Sequence, residues 1–327
     1  MTGKGPHKAL DLSGAKMYPL ATRQSKVDKD LLADPDAYRP ADPGGPEQRV
    51  ENLIPSILKG RDIKELADAW ASAVSRRRAV ILGMGAHPIK VGLSRLIIDL
   101  MERGFLHVLA AGGAVAIHDV EMALQGQTSE EVAEGLPEGS FGMAEDTGRA
   151  YWEAVALAER EGYGLGQAVG RLISEGEFPY RRLSVLAAAY EREVPATLHV
   201  AVGSDIVHMH PAAQQSDRVA ALGRAAFRDF QVLSEAVKGL DDGGVYINLG
   251  SAVILPEVFL KAVNVARNLE GKPQKIVTAN LDMIQHYRPA VNVVQRPTQP
   301  DGRGYQITGH HEILFPLLYA MVRDRLS

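Results

Sequence analysis

The sequence predicts an α/β fold with a doubly wound, mostly parallel sheet. Two observations lead to this expectation. Short apolar runs alternate with amphipathic helical patterns along most of the chain, which is typical of a parallel sheet covered by helices on both faces. Four of the runs also end in glycine-rich or polar turns, at 83–90, 112–119, 203–205 and 250–251. Because such turns meet at the carboxyl edge of an open sheet, we expect the ligand site there.

Composition limits the class of protein. The chain has 327 residues, of which 46% are hydrophobic, enough to bury a large core. Its net charge of -4 gives no basic surface for nucleic acid. The absence of cysteine excludes disulfides, iron–sulfur clusters and cysteine-based zinc sites. Neither a signal-like apolar region nor a run of about 18 apolar residues occurs, so we expect a soluble cytoplasmic protein without membrane contact.

Proline and glycine divide the chain into two parts. Residues 1–50 are rich in both, with Pro35, Pro40, Pro43 and the pair Gly44-Gly45, which forbids a long helix or strand. We expect an irregular N-terminal arm there, either disordered or draped over a neighbouring subunit. Residues 51–327 are expected to form a single α/β nucleotide-binding catalytic domain.

Hydrophobic periodicity then predicts the elements of this domain in order. Strands are expected at 79–82, 106–111, 196–202, 244–249 and 275–279. Helices are expected at 50–58, 62–74, 91–101, 117–124, 144–160, 165–174, 184–192, 218–238, 258–265 and from 312. A short helix capped by Thr128 or Ser129 is expected between the helices at 117–124 and 144–160. Residues 296–309 are expected to form turns.

The turn after the first strand, GMGAHPIK, has only part of a dinucleotide-binding fingerprint. The third glycine of that fingerprint would fall at Pro88, and a sharp turn needs glycine in any fold. Backbone amides in the five turns that follow strands nevertheless suit phosphates or other anions where they adjoin a helix N-terminus.

Histidines are concentrated near these turns, at His87, His118, His310 and His311. Each is either a hydrogen-bonded turn residue or a ligand-binding group. His208 and His210 are spaced as strand neighbours on one face, which allows a metal site with His118 or His310, although spacing fixes no third ligand.

Two acidic residues follow the same turns. Asp119 and Asp205 are candidates for orienting a histidine or binding a substrate cation, and each could equally cap a helix. A serine hydrolase is not supported, because the chain has no GxSxG nucleophile elbow.

Six segments, in the same order and at compatible spacing, resemble deoxyhypusine synthase. They are AHPIKVGL, AAGGAVAIHDVEMAL, EREVPATLHVAVGSDIVHMHP, YINLGSAVILPEVFLKAVNVARN, TANLDM and ITGHHEILFPLL. The second is similar to that family's Thr-Thr-Ala-Gly-Gly loop, the third to its strand before an Asp-containing Gly-Ser loop, and the last to its closing segment. The resemblance extends from about Arg78 to the C-terminus, which is most of the chain.

The resemblance implies a doubly wound domain that binds NAD and forms a homotetramer with active sites at subunit interfaces. Carried over position by position, it implies NAD contacts at Ala86, His87, Pro88, Ile89, Lys90, Gly112, Gly113, Ala114, His118, Gly250, Ser251, Ala279, Asn280, His310 and His311. Asp205 would line the substrate end.

The sequence differs from that family at the residues that carry out the family's reaction. The family forms an imine on a lysine before its closing strand, but here that segment is QRPTQPDGRGYQITG, and no lysine follows Lys275. Arginine cannot replace an imine-forming lysine. The tryptophan beside that lysine is missing, and His118 stands where the family has a cofactor-facing glutamate. Lys90, in the first turn, is either an alternative nucleophile or a contact to pyrophosphate.

We therefore expect an NAD-dependent enzyme that transfers hydride from a small amino or hydroxy compound without a lysine imine. His118 or His87 would be the general base, and Asp119 or Asp205 would orient it or bind the substrate. Two alternatives remain at this point. One is a regulatory protein that keeps the nucleotide pocket without chemistry, and the other is a metal-dependent hydrolase or lyase that uses the histidine cluster.

Overall fold

A parallel sheet crosses the part of the chain that the computed structural model describes, residues 50–215 and 217–326. Its strands are β1 Val80–Met84, β2 Val108–Gly112, β3 Ala196–His199, β4 Val245–Leu249, β5 Val277–Asp282 and β6 Arg303–Thr308. Their order across the sheet is β3-β2-β1-β4-β5-β6, and every neighbouring pair is parallel. This is a doubly wound order, in which the winding reverses between β1 and β4. The expected fold class is confirmed.

Helices connect and cover the strands. They are α1 Leu58–Ser75, α2 His87–Lys90, α3 Ser94–Glu102, α4 Gly113–Gln125, α5 Val132–Gly135, α6 Glu145–Glu161, α7 Leu165–Glu175, α8 Val185–Glu191, α9 Arg218–Ala236, α10 Ile254–Glu270, α11 Tyr287–Pro289 and α12 His311–Leu326. None of these described helices combines the length and the apolar character that crossing a membrane requires. The predicted N-terminal arm lies outside the described residues, apart from Val50.

Alternation along the strands divides the core between the two faces of the sheet. In β1, Leu82 points to the face that carries Trp70 of α1 and Phe315 of α12. Its neighbour Ile81 points to the other face, with Phe259 of α10. Successive strand residues point to opposite faces, so a fully apolar strand is covered on both sides. This is why the run at 80–82 reads as a continuous apolar segment.

A buried carboxyl group links the outer edge of β3 to helices α7 and α9 by hydrogen bonds. Asp229 of α9 is 1% exposed and accepts hydrogen bonds from the amides of Leu198 in β3 and Gly166 in α7, at 2.8 and 3.0 Å. Burial raises the pKa of Asp229 to about 7. The carboxyl group therefore satisfies an outward-facing amide of an edge strand and an N-terminal amide of a helix at once.

The carboxyl half of the sheet differs from the sequence prediction. β5 continues to Asp282 rather than ending at Ala279. Its polar side chains are buried and hydrogen bonded instead of lying in a turn; Asn280, for example, accepts a hydrogen bond from the Asn248 side chain of β4. β6 lies where turns were expected. Only Tyr305 and Ile307 of this edge strand are buried, so its apolar signal is weak.

Three smaller differences concern helices and one strand end. The two helices expected at 50–58 and 62–74 are a short 3-10 turn and the single helix α1. β3 ends at His199, and residues 206–209 form a 3-10 turn, so the prediction that His208 and His210 are strand neighbours is wrong. Helix α5 is capped by Glu131 rather than by Thr128 or Ser129.

Candidate functional site

A cleft opens at the carboxyl edge of the sheet, where the loops after β1 and β4 diverge. Its volume is about 200 Å³. The loops after β1, β2, β3 and β4 all contribute to it, through Gly85, Ala86, Gly112, Gly113, Ala114, His199, Ala201, Ser204, Asp205, Gly250, Ser251, Ala252, Val253 and Ile254. This is the position at which doubly wound sheets bind their ligands. Seven of the predicted site residues, Asp205 among them, line it.

The glycines of the cleft serve different purposes. A Cβ at Gly85 would lie 2.3 Å from the carbonyl oxygen of Gly250, so the loops after β1 and β4 pack backbone against backbone. A Cβ at Gly113 would lie 2.1 Å from Oδ2 of Asp205. Gly112, in contrast, has only a Leu255 methyl group near its Cβ position, at 3.8 Å. The first two glycines are required by packing, whereas Gly112 has free space beside it.

Helix α4 presents its N-terminus to this cleft. Its N-cap is Gly112, and no side chain caps its first turn. The first amides of a helix have no partner within the helix, and together with the helix dipole they favour an anion. The open space beside Gly112 and the uncapped amides of Gly113 and Ala114 therefore fit a phosphate group.

A second, charged pocket adjoins the cleft and shares Ala114, Ser204 and Asp205 with it. Its volume is about 180 Å³. The remaining lining residues are Lys90, Ile117, His118, Glu121, Ser129, Glu130, Val132, Phe141 and Ile206. We call this the His118 pocket. It brings a lysine, a histidine and three carboxyl groups next to the cleft.

Asp205 stands at the junction of the two spaces. Its residue is 8% exposed, and its Oδ2 atom is buried without a hydrogen-bond partner among the described residues. Burial raises the pKa of Asp205 to about 6, although a hydrogen bond from the Ala201 backbone opposes this. A buried oxygen without a partner costs stability, so Asp205 is prepared to accept a hydrogen bond from a ligand.

His118 is held by a chain of hydrogen bonds. Its Nδ1 atom lies 2.7 Å from Oγ1 of Thr128, and the Thr128 hydroxyl donates to Oε2 of Glu121 at 2.5 Å. Burial and then the positive charge of Lys90 lower the pKa of His118 to about 4, while Glu130 acts in the opposite direction. His118 is therefore neutral at pH 7.

Glu121 and Thr128 were not among the predicted site residues. A signal for Glu121 existed, because it follows His118 by three residues and so lies on the same helix face. No sequence signal pointed to Thr128. Its position in the structure depends on the end of α4 at Gly126, where a φ of 72° reverses the direction of the backbone.

His87 and His311 meet beside the cleft. Their Nδ1 atoms are 2.8 Å apart, and Nε2 of His311 lies 3.7 Å from Oδ1 of Asp282. His311 is 1% exposed and packs against Gly250, where a Cβ would lie 2.6 Å from its Cε1 atom. The histidine pair therefore packs against the loop after β4 at Gly250.

Several predicted cofactor contacts lie away from the cleft. Ala279 and Asn280 are fully buried within β5, since that strand ends later than expected. The side chains of Pro88 and Ile89 are buried in α2, and neither lines the cleft or the His118 pocket. The side chain of His310 is 65% exposed and faces Glu312. The structure thus separates His310 from its neighbour His311.

Asp119 is also outside both spaces. It is fully buried and accepts hydrogen bonds from the Ser184 hydroxyl and from the amides of Val185 and Leu186. These are the first residues of α8, so Asp119 caps that helix from α4. Burial raises the pKa of Asp119 to about 6, although these hydrogen bonds oppose it.

The two histidines of the HMH motif contact backbone atoms. Nδ1 of His208 accepts from the Gly203 amide at 3.2 Å, and Nε2 of His210 lies 2.6 Å from the Gly142 carbonyl. Within residues 50–215 and 217–326, no group of three or more His, Cys, Asp or Glu side chains is arranged to hold a metal ion. The geometry gives the metal hypothesis no support.

A larger cavity of about 580 Å³ lies elsewhere, at the amino end of β3. Its one buried carboxyl group, that of Asp229, is already bound to backbone amides. We therefore place the candidate site in the smaller cleft and the His118 pocket, where a buried carboxyl oxygen of Asp205 has no partner among the described residues.

Comparison with known proteins identifies the fold but not the family. No family model matches the chain, and no curated protein matches it. Several solved structures resemble it, among them three different proteins. AgrE, solved with ornithine and NAD+, has a TM-score of 0.52 at 12% identity, over 81% of this chain and 33% of AgrE. A LOR/SDH-like protein from Methanococcus maripaludis S2 has 0.50 at 17% identity, over 82% and 70%.

The third is a deoxyhypusine synthase-like protein from Entamoeba histolytica, with a TM-score of 0.51 at 9% identity, over 82% of this chain and 88% of that one. The present chain spans about a third of the length of AgrE. At these identities the likeness concerns the fold alone. The chain therefore has a deoxyhypusine synthase-like α/β fold, which is also similar to part of AgrE, a protein solved with NAD+.

Proposed function

We propose that the protein is an NAD-dependent enzyme that oxidises a small amino or hydroxy compound by hydride transfer, without a lysine imine. The observation that carries this proposal is the junction at Asp205. There a cleft that suits a phosphate group adjoins a pocket that contains a neutral histidine.

Three features of the cleft support a dinucleotide. It lies at the reversal point of a doubly wound sheet, and the uncapped amides of Gly113 and Ala114 would hold the diphosphate. Gly112 leaves space for its close approach. AgrE, a protein with this fold, was solved with NAD+. Bound NAD would supply the hydride acceptor.

The His118 pocket supports the substrate end of the proposal. A neutral imidazole can take the proton that a hydroxyl or ammonium group loses when its carbon gives up hydride. Oδ2 of Asp205, buried and without a partner among the described residues, would accept a hydrogen bond from the same substrate.

Lys90 fits a binding role better than a covalent one. It is exposed at the mouth of the His118 pocket, whereas an imine-forming lysine is activated by removal from water. Its ammonium group would attract an anionic part of the substrate or cofactor.

Calorimetric titration with NAD+ tests the cofactor. We expect saturable binding to the wild type and at least tenfold weaker binding to Gly112→Val, whose side chain would fill the space beside α4. Gly223→Ala is the matched control, since Gly223 of α9 has no atom within 4 Å of its Cβ position. Equal NAD+ affinity in all three proteins, or no binding by the wild type, would refute the proposed cofactor site.

Native mass spectrometry of the same samples tests the assembly. We propose a homotetramer, and a monomer that binds NAD+ fully would overturn that part alone.

A further inference from the structure

The hydrogen-bond chain behind His118 allows only one assignment of its protons. The Thr128 hydroxyl has a single hydrogen atom, and it donates this hydrogen to Oε2 of Glu121. A carboxylate oxygen accepts hydrogen bonds but has none to donate. At its contact with Nδ1 of His118, 2.7 Å away, Thr128 must therefore be the acceptor. Nδ1 of His118 must carry the proton.

Glu121 is itself fixed on its second oxygen. The Thr147 hydroxyl at the start of α6 donates to Oε1 of Glu121 at 3.3 Å, and the side chain of Glu121 is 16% exposed. The carboxylate cannot easily rotate away from Thr128 without losing this second bond. The direction of these hydrogen bonds is thus set by the Glu121 carboxylate, which belongs to α4 and is also hydrogen bonded to α6.

We propose that Glu121 and Thr128 are positioning residues that hold His118 in its Nδ1–H tautomer. They leave Nε2 as the unprotonated nitrogen available to the pocket. Free histidine prefers the opposite tautomer, with the proton on Nε2, so this arrangement has to be imposed by the protein. The reaction that the nitrogen would serve rests on the proposed function, but the tautomer itself does not.

The surroundings of His118 agree with a neutral ring. The charged side chains that line the pocket with it are Lys90 of α2, Asp205 of the loop after β3, Glu130 of the loop before α5, and Glu121 of its own helix, whose Oε2 atom lies 3.9 Å from Nδ1. With Thr128 interposed, the carboxylate orients the imidazole through a hydroxyl group instead of contacting it directly. A proton taken up at Nε2 would create an imidazolium ion that Glu121 stabilises across Thr128.

The ring nitrogens of His118 can be observed directly in protein without NAD or substrate. We would record solid-state 15N NMR spectra of sedimented protein labelled at its histidines and identify His118 by its loss in His118→Asn. In the wild type at pH 7 we expect the proton on Nδ1. In Glu121→Met the Thr128 hydroxyl is free to donate to Nδ1, so we expect the proton to move to Nε2.

Conservative variants separate positioning from general structural damage. Glu121→Gln keeps an acceptor oxygen, and Thr128→Ser keeps the hydroxyl, so both should retain the Nδ1–H signal. Thr128→Val should lose it. Thr147→Val removes the other bond to Glu121 and is expected to leave the tautomer unchanged. A thermal melt of each variant verifies that it is folded.

Two results would overturn the inference. One is a wild-type His118 that carries its proton on Nε2, and the other is an Nδ1–H signal that persists in folded Glu121→Met and Thr128→Val. Neither depends on whether the protein binds NAD, so failure of the positioning proposal and failure of the proposed function remain distinguishable.

Discussion

Nδ1 of His87 lies 2.8 Å from Nδ1 of His311, and this contact joins the two halves of the sheet at the point where its winding reverses. His87 begins α2 directly after β1, and His311 begins α12 after β6. One ring must donate and the other accept. Burial lowers the pKa of His311, and the proximity of His87 adds to this while Asp282 opposes it, which favours the neutral form of His311.

The adjacent histidines 310 and 311 offer a matched test of this contact. We expect His311→Ala to lower the free energy of unfolding by about 2–4 kcal/mol, because it removes a buried ring and the partner of His87. His310→Ala should change it by less than about 0.5 kcal/mol, since that side chain is exposed. Urea denaturation measures both, and equal effects would contradict the buried contact.

Asp119 should matter for stability rather than for ligand binding. Its replacement by alanine leaves the Ser184 hydroxyl and two amides at the start of α8 without their acceptor. We expect a loss of about 2–4 kcal/mol in unfolding free energy and an unchanged NAD+ affinity by calorimetry. Asp146→Ala, on the exposed first turn of α6, is the control. A stable Asp119→Ala protein that fails to bind NAD+ would show that Asp119 takes part in ligand binding.

His118 should make the protein less stable in acid. Its pKa is about 4 in the folded state and about 6.5 when unfolded, so between these values the unfolded chain binds a proton that the native protein excludes. The unfolding free energy therefore falls as the pH falls, by about 2 kcal/mol between pH 7 and 5 from this residue.

We expect His118→Asn to lack this decrease in unfolding free energy when denaturation curves are recorded across that pH range. Lys90→Met should reduce it, because the Lys90 charge contributes to the shift. Parallel stability profiles for the wild type and His118→Asn would show that His118 is not held neutral.

Gly85 is expected to be important for stability. A side chain there would meet the Gly250 carbonyl at 2.3 Å, and neither loop can yield without separating the ends of β1 and β4. We expect Gly85→Ala to cost about 1–3 kcal/mol, measured by thermal denaturation. Gly112→Ala should melt like the wild type, since its Cβ position is open. Similar melting temperatures for both variants would disprove the backbone packing.

Apolar periodicity was sufficient to predict the doubly wound sheet and its carboxyl-edge cleft. β1, β2 and β4 are buried on both faces, so each reads as a continuous apolar run. The turns at Gly112 and Gly250 marked the cleft, because a turn that ends such a strand must lie at that edge. The fold resemblance rested on the same segments.

The remaining details depend on contacts between distant parts of the chain. Asn280 looked like a turn residue, but in β5 it accepts a hydrogen bond from Asn248 of β4. Asp119 looked like a site residue until α8, 65 residues later, brought Ser184 to it. Thr128 and Glu121 lie seven residues apart, and their hydrogen bond follows from a single left-handed glycine. A polar residue does not show in the sequence whether its partner is a ligand or the protein.

The carboxyl group of Asp229 has a consequence for how the protein avoids self-association. An edge strand with open amides can recruit a strand from another molecule and begin aggregation. β3 ends the sheet, and its Leu198 amide, which another chain would need, already donates to the Asp229 carboxyl group. Replacing this one acid would leave that edge amide without an acceptor as well as loosen α7.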